Sequence, residues 1–235
     1  MEPITGFIAP EPTPGLPVLA RFLAPLPANI AAAYIAAYSQ ADELVVNPFC
    51  RTPVIALESE RLGRRALLAD ANPLTAFVVR QALCIPAAKD LNTGFTRLAE
   101  TPKGETPLRN HLRQLYQTTC PRCGQSVIAS HFVWSRQLDR PTQKCYHCPT
   151  CQQARTEPVN EADLAVTGGF EARGFHYWAI VERLAPPDEE SRALVQRLLA
   201  LYTPRNLYAL ATLVNKAEAV LDPPGLLDAF RFILL

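Results

Sequence analysis

Five of the seven cysteines fall between residues 120 and 151, in the runs Cys120-Pro-Arg-Cys123-Gly124 and Cys145-Tyr-His-Cys148-Pro-Thr-Cys151. A Cys-x-x-Cys step brings two thiols round one tight turn, and two such steps place four soft ligands at the corners of a tetrahedron. Between the runs, Val127-Ile128 and Phe132-Val133-Trp134 are strand-like pieces that form a hairpin-sized spacer. Two Cys-Pro-x-Cys knuckles around such a spacer are the sequence form of a zinc ribbon, a unit too small for its own core and fixed by metal. Five cysteines compete for four places. Cys120 and Cys123 take two, and Cys148 and Cys151 repeat the Cys-Pro-x-Cys form and take the others; Cys145 paired with Cys148 is the open rival. His147 reads as a surface residue, and His111 and His131 carry no ligand pattern. A closed four-thiolate site keeps no open coordination position, so its zinc is structural.

Clustered Cys-x-x-Cys steps point to metal in a reduced compartment, the cytoplasm, rather than to disulfides. Apolar residues make up 49% of the 235 and charged residues 19%, enough for a sizeable core. No apolar run of about 18 residues predicts a membrane span, and no basic-then-apolar start predicts a signal peptide. Net charge is only +1, yet residues 97–155 carry nine basic against three acidic side chains, a local +6 that leaves the remainder at −5. A basic segment in an acidic body suits a phosphate-binding surface and predicts contact with DNA, with a solvated polar face as the simpler alternative.

The stretch from Asp42 to Leu83 carries the rest of the fold. Leu44 to Asn47 is a short apolar run stopped by Pro48, which suits a buried strand. Pro53 fits the first turn of a helix that contains Leu57 and Leu62 and stops at Gly63. Arg65 to Ala69 reads as a second strand that delivers Asp70 at its carboxyl end, and Asn72-Pro73 caps a third helix running to about Leu83. Strand, tight loop, helix, strand and terminal acid open a doubly wound nucleotide-cofactor fold. Cys50 and Cys84 both read as packing cysteines.

The runs Asn47-Pro48-Phe49-Cys50, Ala56-Leu57-Glu58, Arg61-Leu62-Gly63-Arg64-Arg65 and Ala69-Asp70-Ala71-Asn72-Pro73-Leu74 resemble the S-adenosylmethionine-dependent DNA methyltransferases that modify exocyclic amino groups. Tyr202-Thr-Pro-Arg-Asn-Leu-Tyr-Ala-Leu is similar to members of that group that carry a zinc insert. The resemblance implies an α/β chain, a partial Rossmann-like class I methyltransferase fold with an inserted zinc ribbon. It also implies that Asn47, Pro48, Phe49 and Cys50 cradle the methionine end of S-adenosylmethionine, and that Asp70, with Asn72 beside it, takes the ribose. Three positions depart from the family's Asp-Pro-Phe-Cys/Ala-Gly-Ser-Gly-Thr loop: Asn47 replaces Asp, and Arg51 and Pro53 replace glycines. Glycine permits a left-handed backbone close to a ligand and proline forbids it, so both a working cofactor loop and one that only packs stay open. The family's catalytic Asp/Asn-Pro-Pro-aromatic motif has no counterpart, because Asp222-Pro223-Pro224-Gly225 lacks the aromatic and reads as a helix cap.

These readings divide the chain into a proline-rich arm (1–27), a cofactor-binding half (28–105), the ribbon insert (106–160) and a returning strand and helices (161–235). In the arm no regular structure is expected. Ile30, Tyr34 and Tyr38 predict the buried face of a helix from Ala28 to Ser39. Asn92–Glu105 is expected to be a linker, and Pro107–Tyr116 a short helix. Beyond the ribbon, Gly174–Leu184 reads as a strand, followed by a helix burying Leu194, Leu198 and Leu201. Thr203-Pro204 then starts a helix burying Leu207, Leu210 and Val214, with Arg205 and Asn206 in a capping role or facing DNA or cofactor. The chain stops inside an apolar helix holding Phe230, Ile233, Leu234 and Leu235, so either a continuation of the chain or a partner chain that supplies the catalytic half is expected. The alternative is a non-catalytic zinc-ribbon scaffold that binds DNA or protein.

Overall fold

The computed structural model describes residues 3–12 and 26–235. In chain order the elements begin with α1 (Ala28–Tyr38), β1 (Leu44–Asn47), α2 (Val54–Arg61), β2 (Arg65–Leu68) and α3 (Pro73–Leu83). Next come α4 (Ala88–Glu100), β3 (Pro102–Lys103), β4 (Thr106–Pro107), α5 (Leu108–Gln114), β5 (Gln117–Thr119), β6 (Ser126–Ser135), β7 (Arg140–Cys148) and β8 (Gln153–Pro158). The last are α6 (Glu161–Gly168), α7 (Phe175–Leu184), α8 (Glu189–Leu199), α9 (Pro204–Val220) and α10 (Pro224–Leu234). The chain is therefore a mixture of helices and small sheets, and it folds as two units. The first takes residues up to Asp90 together with Pro223–Leu235, and the second is Leu91–Asp222. Among the described residues no helix is long and apolar enough to cross a membrane.

In the first unit β1 and β2 pair in parallel, Leu44 opposite Arg65 through Asn47 opposite Leu68, with α2 between them in sequence. The strand β1 stops where Pro48 removes a ladder donor, and the Asn47 side chain accepts the Phe49 N–H at 3.2 Å. Helix α2 ends at Gly63, whose φ of +74° only glycine adopts without strain. Asn72 caps α3 by accepting the Leu74 N–H at 3.0 Å, with Pro73 in the first turn. The core is Cys50, Val78 and Val79, packed by Leu68, Phe77, Leu83 and Phe232 of α10. An Arg80–Asp228 ion pair at 2.8 Å also ties α3 to α10. The strand face carrying Leu44, Val46 and Leu67 stays exposed, because β1 and β2 have no further neighbour strand among the described residues.

Three expectations for this unit change, the first being β1, expected to be buried and left with Leu44 and Val46 exposed. Helix α1 buries Ala31 and Ile35, while Tyr34 and Tyr38 are half exposed and stack on each other at 6.0 Å. The Tyr38 hydroxyl accepts the Ile4 N–H, so the tyrosine face serves the arm and not the core. Residues 3–12 do lie along α1, with Asn29 bonded to the Glu11 N–H and the Ala9 carbonyl; the remainder of the proline-rich reading, residues 13–25, lies outside the described residues. Cys84, expected to be buried, is exposed, since as the C-cap of α3 it sits beyond the face holding Val78 and Val79.

In the second unit the segment expected to be a linker is helical to Glu100. Gly94 and Leu98 are buried on α4, with Leu91 and Phe95 half-buried on the same face, a helical period hidden among polar neighbours. Arg97 of α4 donates from Nη2 to the carbonyls of Val220 and Asp222 at the far end of α9. The sheet β5-β6-β7-β8 is antiparallel throughout. Residues 175–184 form helix α7 instead of a strand; their aromatic and branched residues suit a strand, but Tyr177 and Val181, four apart, are the buried pair. They pack on Leu199 and Leu207. On α8 it is Leu199 and Val195 that pack, whereas Leu194, Leu198 and Leu201 are more than half exposed. Thr203 caps α9 through the Asn206 N–H at 3.3 Å, with Pro204 in the first turn, as expected.

Candidate metal centre and cofactor loop

The cysteine centre is built by two turns of the second unit. One follows β5, where Gly124 at φ +72° lets its N–H return to the Cys120 carbonyl at 2.9 Å. The other joins β7 to β8 and turns at Gln152. They bring the sulfurs of Cys120, Cys123, Cys148 and Cys151 within 4.8 Å of one another. Cys123 and Cys148 lie 3.6 Å apart. Four thiolates about 2.3 Å from a common metal stand about 3.8 Å apart in a tetrahedron, so the four sulfurs could hold a metal ion. Cys145 is not among them. It lies on β7 with its sulfur 3.3 Å from Thr156 Oγ1, and the strand's alternation turns Tyr146 and Cys148 inward instead. His147 and His131 are exposed.

The electrostatics of the centre are uneven. Burial resists ionisation of Cys120, but hydrogen bonds from the Cys123 backbone, the Tyr146 hydroxyl and the Arg122 backbone outweigh it and bring the thiol to about 6. Cys151, facing the Cys123 thiol and partly buried, is pushed up to about 12. Without metal, four thiols at this spacing cannot all ionise; a cation would supply the charge that lets them.

Beside the sheet lies a buried ion pair that the sequence did not signal. Lys144 Nζ meets Asp163 Oδ2 at 2.9 Å and Thr118 Oγ1 at 2.8 Å, and Thr118 donates to Asp163 Oδ1 at 2.6 Å. Asp163 also closes a capping box with Asn160 at the start of α6. Burial would raise the Asp163 carboxyl, but bonds from the Asn160 backbone, Thr118 and Lys144 hold it below the ordinary carboxylate value. Arg205, read as a cap or a DNA or cofactor contact, is buried with its guanidinium 4.2 Å from the Phe132 ring centroid and 5.0 Å from that of Tyr116. It also donates to the Leu115 carbonyl at 3.3 Å, so it fastens α9 to the sheet. Asn206 accepts the Tyr116 hydroxyl at 2.8 Å.

In the first unit the loop after β1 and the end of β2 lie side by side. Ala69 N–H donates to the Asn47 carbonyl at 3.0 Å and Cys50 N–H to the Ala69 carbonyl at 2.8 Å. Asp70 Oδ1 accepts the Asn72 N–H at 2.8 Å. Cys50 and Asp70 share a cavity of about 380 Å³ with Leu68, Val79 and Arg80. Burial, with a small contribution from the Asp70 charge, raises the Cys50 thiol. Asn47, Pro48, Phe49 and Asn72 are not among the residues lining it, and Phe49 is 79% exposed. No residue from Pro48 to Pro53 has positive φ, so Arg51 and Pro53 sit without backbone strain.

Comparison with protein-family models, with curated proteins and with solved structures found no significant match. The fold and the site together define a mixed helix-and-strand protein with a four-cysteine centre able to hold a metal ion.

Proposed function

We propose that the chain is a DNA methyltransferase-like protein, the cofactor- and DNA-recognising part of an S-adenosylmethionine-dependent enzyme for exocyclic amino groups. A partner chain supplies the catalytic motif. On this reading the first unit is the opening of a Rossmann-like fold and the sheet of the second is a zinc ribbon. The observation that carries it is the parallel β1-α2-β2 arrangement, whose carboxyl ends put the Asn47–Cys50 loop beside Asp70. Asn47, Pro48, Phe49 and Cys50 would hold the methionine end; Asp70, oriented by Asn72, would accept the ribose hydroxyls. S-adenosylmethionine, when bound, supplies an electrophilic methyl group. The protein's own part is to position and enclose it. Zinc suits the second unit because four thiolates at tetrahedral spacing are its characteristic structural ligand set.

Calorimetric titration of S-adenosylmethionine into the zinc-loaded protein tests this. Micromolar binding that Asp70→Ala abolishes is the expected result; no heat at millimolar ligand would refute the cofactor half. A second reading, a non-catalytic zinc-ribbon scaffold that binds DNA or protein, is favoured by Arg51 and Pro53 in place of the loop glycines. Duplex DNA binding with no cofactor binding would select it.

A further inference from the structure

The second unit holds a cavity of about 290 Å³ between the segment Gly169–Gly174 and the first turns of α7 and α9. Phe170, Glu171, Phe175, His176, Leu207 and Tyr208 line it. The Tyr208 ring lines it, 5.1 Å from Phe170 and 4.7 Å edge-on from His176. Its hydroxyl is 2.9 Å from His111 Nε2, and Lys103 Nζ lies 5.8 Å from its centroid. At the mouth Phe175 is 82% exposed. An open phenyl beside an aromatic cavity leaves apolar surface in water and is a contact awaiting a flat partner.

The aromatic and acidic lining, together with Lys103 over the Tyr208 ring just outside it, matches the parts of a nucleotide. Aromatic rings of this kind stack on a base face. Lys103 is a point charge suited to a phosphate. The Glu171 carboxylate accepts from an exocyclic amino group, as acidic side chains do from cytosine. Burial and the nearby Lys103 charge lower both His111 and His176, which keeps the imidazoles neutral near pH 7.

We propose that this cavity binds a single nucleotide, its base held against Phe170, Phe175 and Tyr208 and its phosphate by Lys103. The ligand is either a free mononucleotide or one unpaired nucleotide of single-stranded nucleic acid. The inference deepens the DNA-binding part of the reading above and is independent of the cofactor loop.

Titration of dAMP, followed through the proton signals of the four histidines, tests it. His111 and His176 should shift while the exposed His131 and His147 stay still. Phe175→Ala, which alters only an exposed side chain, should weaken binding about 5- to 150-fold, the equivalent of about 1–3 kcal/mol for one stacked base. Lys103→Gln should weaken dAMP binding but not deoxyadenosine binding. No shift of His111 and His176 at about 10 mM dAMP, where even a millimolar site is filled, overturns the proposal. So does equal affinity in Phe175→Ala. A labelled single-stranded oligonucleotide that also loses affinity in Phe175→Ala identifies the source as unpaired nucleic acid; an unchanged one leaves the free nucleotide as the ligand. Duplex binding with no dAMP response would overturn the nucleotide site while leaving the DNA reading standing. A dAMP response with no binding to any oligonucleotide would do the reverse.

Discussion

Replacing Lys144 by methionine should unfold the second unit far more easily than its position on a small sheet suggests. Lys144 and Asp163 are 1% and 2% exposed, so neither charge can turn to water when its partner is lost. Lys144→Met keeps the side chain's length and apolar stem but leaves Asp163 with only the Thr118 hydroxyl and the Asn160 N–H. Removing one member of a buried pair costs about 3–5 kcal/mol. Both tryptophans, Trp134 and Trp178, belong to this unit, so their fluorescence during urea unfolding reports it alone. With a slope of about 2 kcal/mol per molar urea, the midpoint should fall by about 1.5–2.5 M. The acid limb gives a second check. Because the folded Asp163 carboxyl is held below its unfolded value, its contribution is fully present above about pH 4 and is lost as pH falls through the folded value. In Lys144→Met the lost cation lets burial raise the Asp163 carboxyl, so the variant is relieved by protonation at a higher pH than the wild type loses its ion pair. The gap between them should therefore be widest at about pH 8 and narrow steadily as pH falls. A loss under about 1 kcal/mol, or a gap that persists unchanged in acid, would refute the reasoning.

Three other expectations follow from the same geometry. Cys148→Ser should abolish stoichiometric zinc binding, whereas Cys145→Ser should leave one zinc per chain, as read by metal analysis after dialysis. Arg205→Lys should cost the second unit about 1–2 kcal/mol in the same urea assay, because an ammonium cannot lie flat against Phe132 and Tyr116. In the zinc-loaded protein Cys84 should alkylate before Cys50; mass spectrometry finding the buried Cys50 modified first would contradict its packing and its raised thiol value.

What the sequence made legible was whatever depends on neighbours in the chain. The two cysteine turns, the stop at Gly63, the Asn72 and Thr203 caps and the two short strands are all set within a few residues. Alternation along β7 turns Cys148 toward the other sulfurs and Cys145 away, which leaves Cys151 as the fourth member, and it becomes visible only once the strand's bounds are known. What failed depends on distant partners. The aromatic run at 175–184 has strand-like composition, but packing against Leu199 and Leu207 makes it a helix. Leu194, Leu198 and Leu201 recur at helical spacing, but the buried stripe of α8 is one residue out of phase with them and falls on Leu199. Lys144, Asp163 and Arg205 look like surface charges in a basic segment. Only the fold gives each a partner from more than fifteen residues away. The cavity is lined from 169–177 and from 204–208, and Tyr208 is met from outside it by Lys103 and His111, a separation no local pattern spans.

Arg97 ties the start of the second unit to its end, since the carbonyls it holds, Val220 and Asp222, are the last before the chain leaves. A segment whose two termini are clasped together is portable. It can be spliced into a surface loop of a host at little more than the cost of closing a short loop, and lifted out again without dragging the host's chain apart. Its reading frame would then behave as a cassette, cut ahead of α4 so that the helix carrying Arg97 stays whole, and after Asp222, for transplanting the cysteine sheet and its helices into another scaffold.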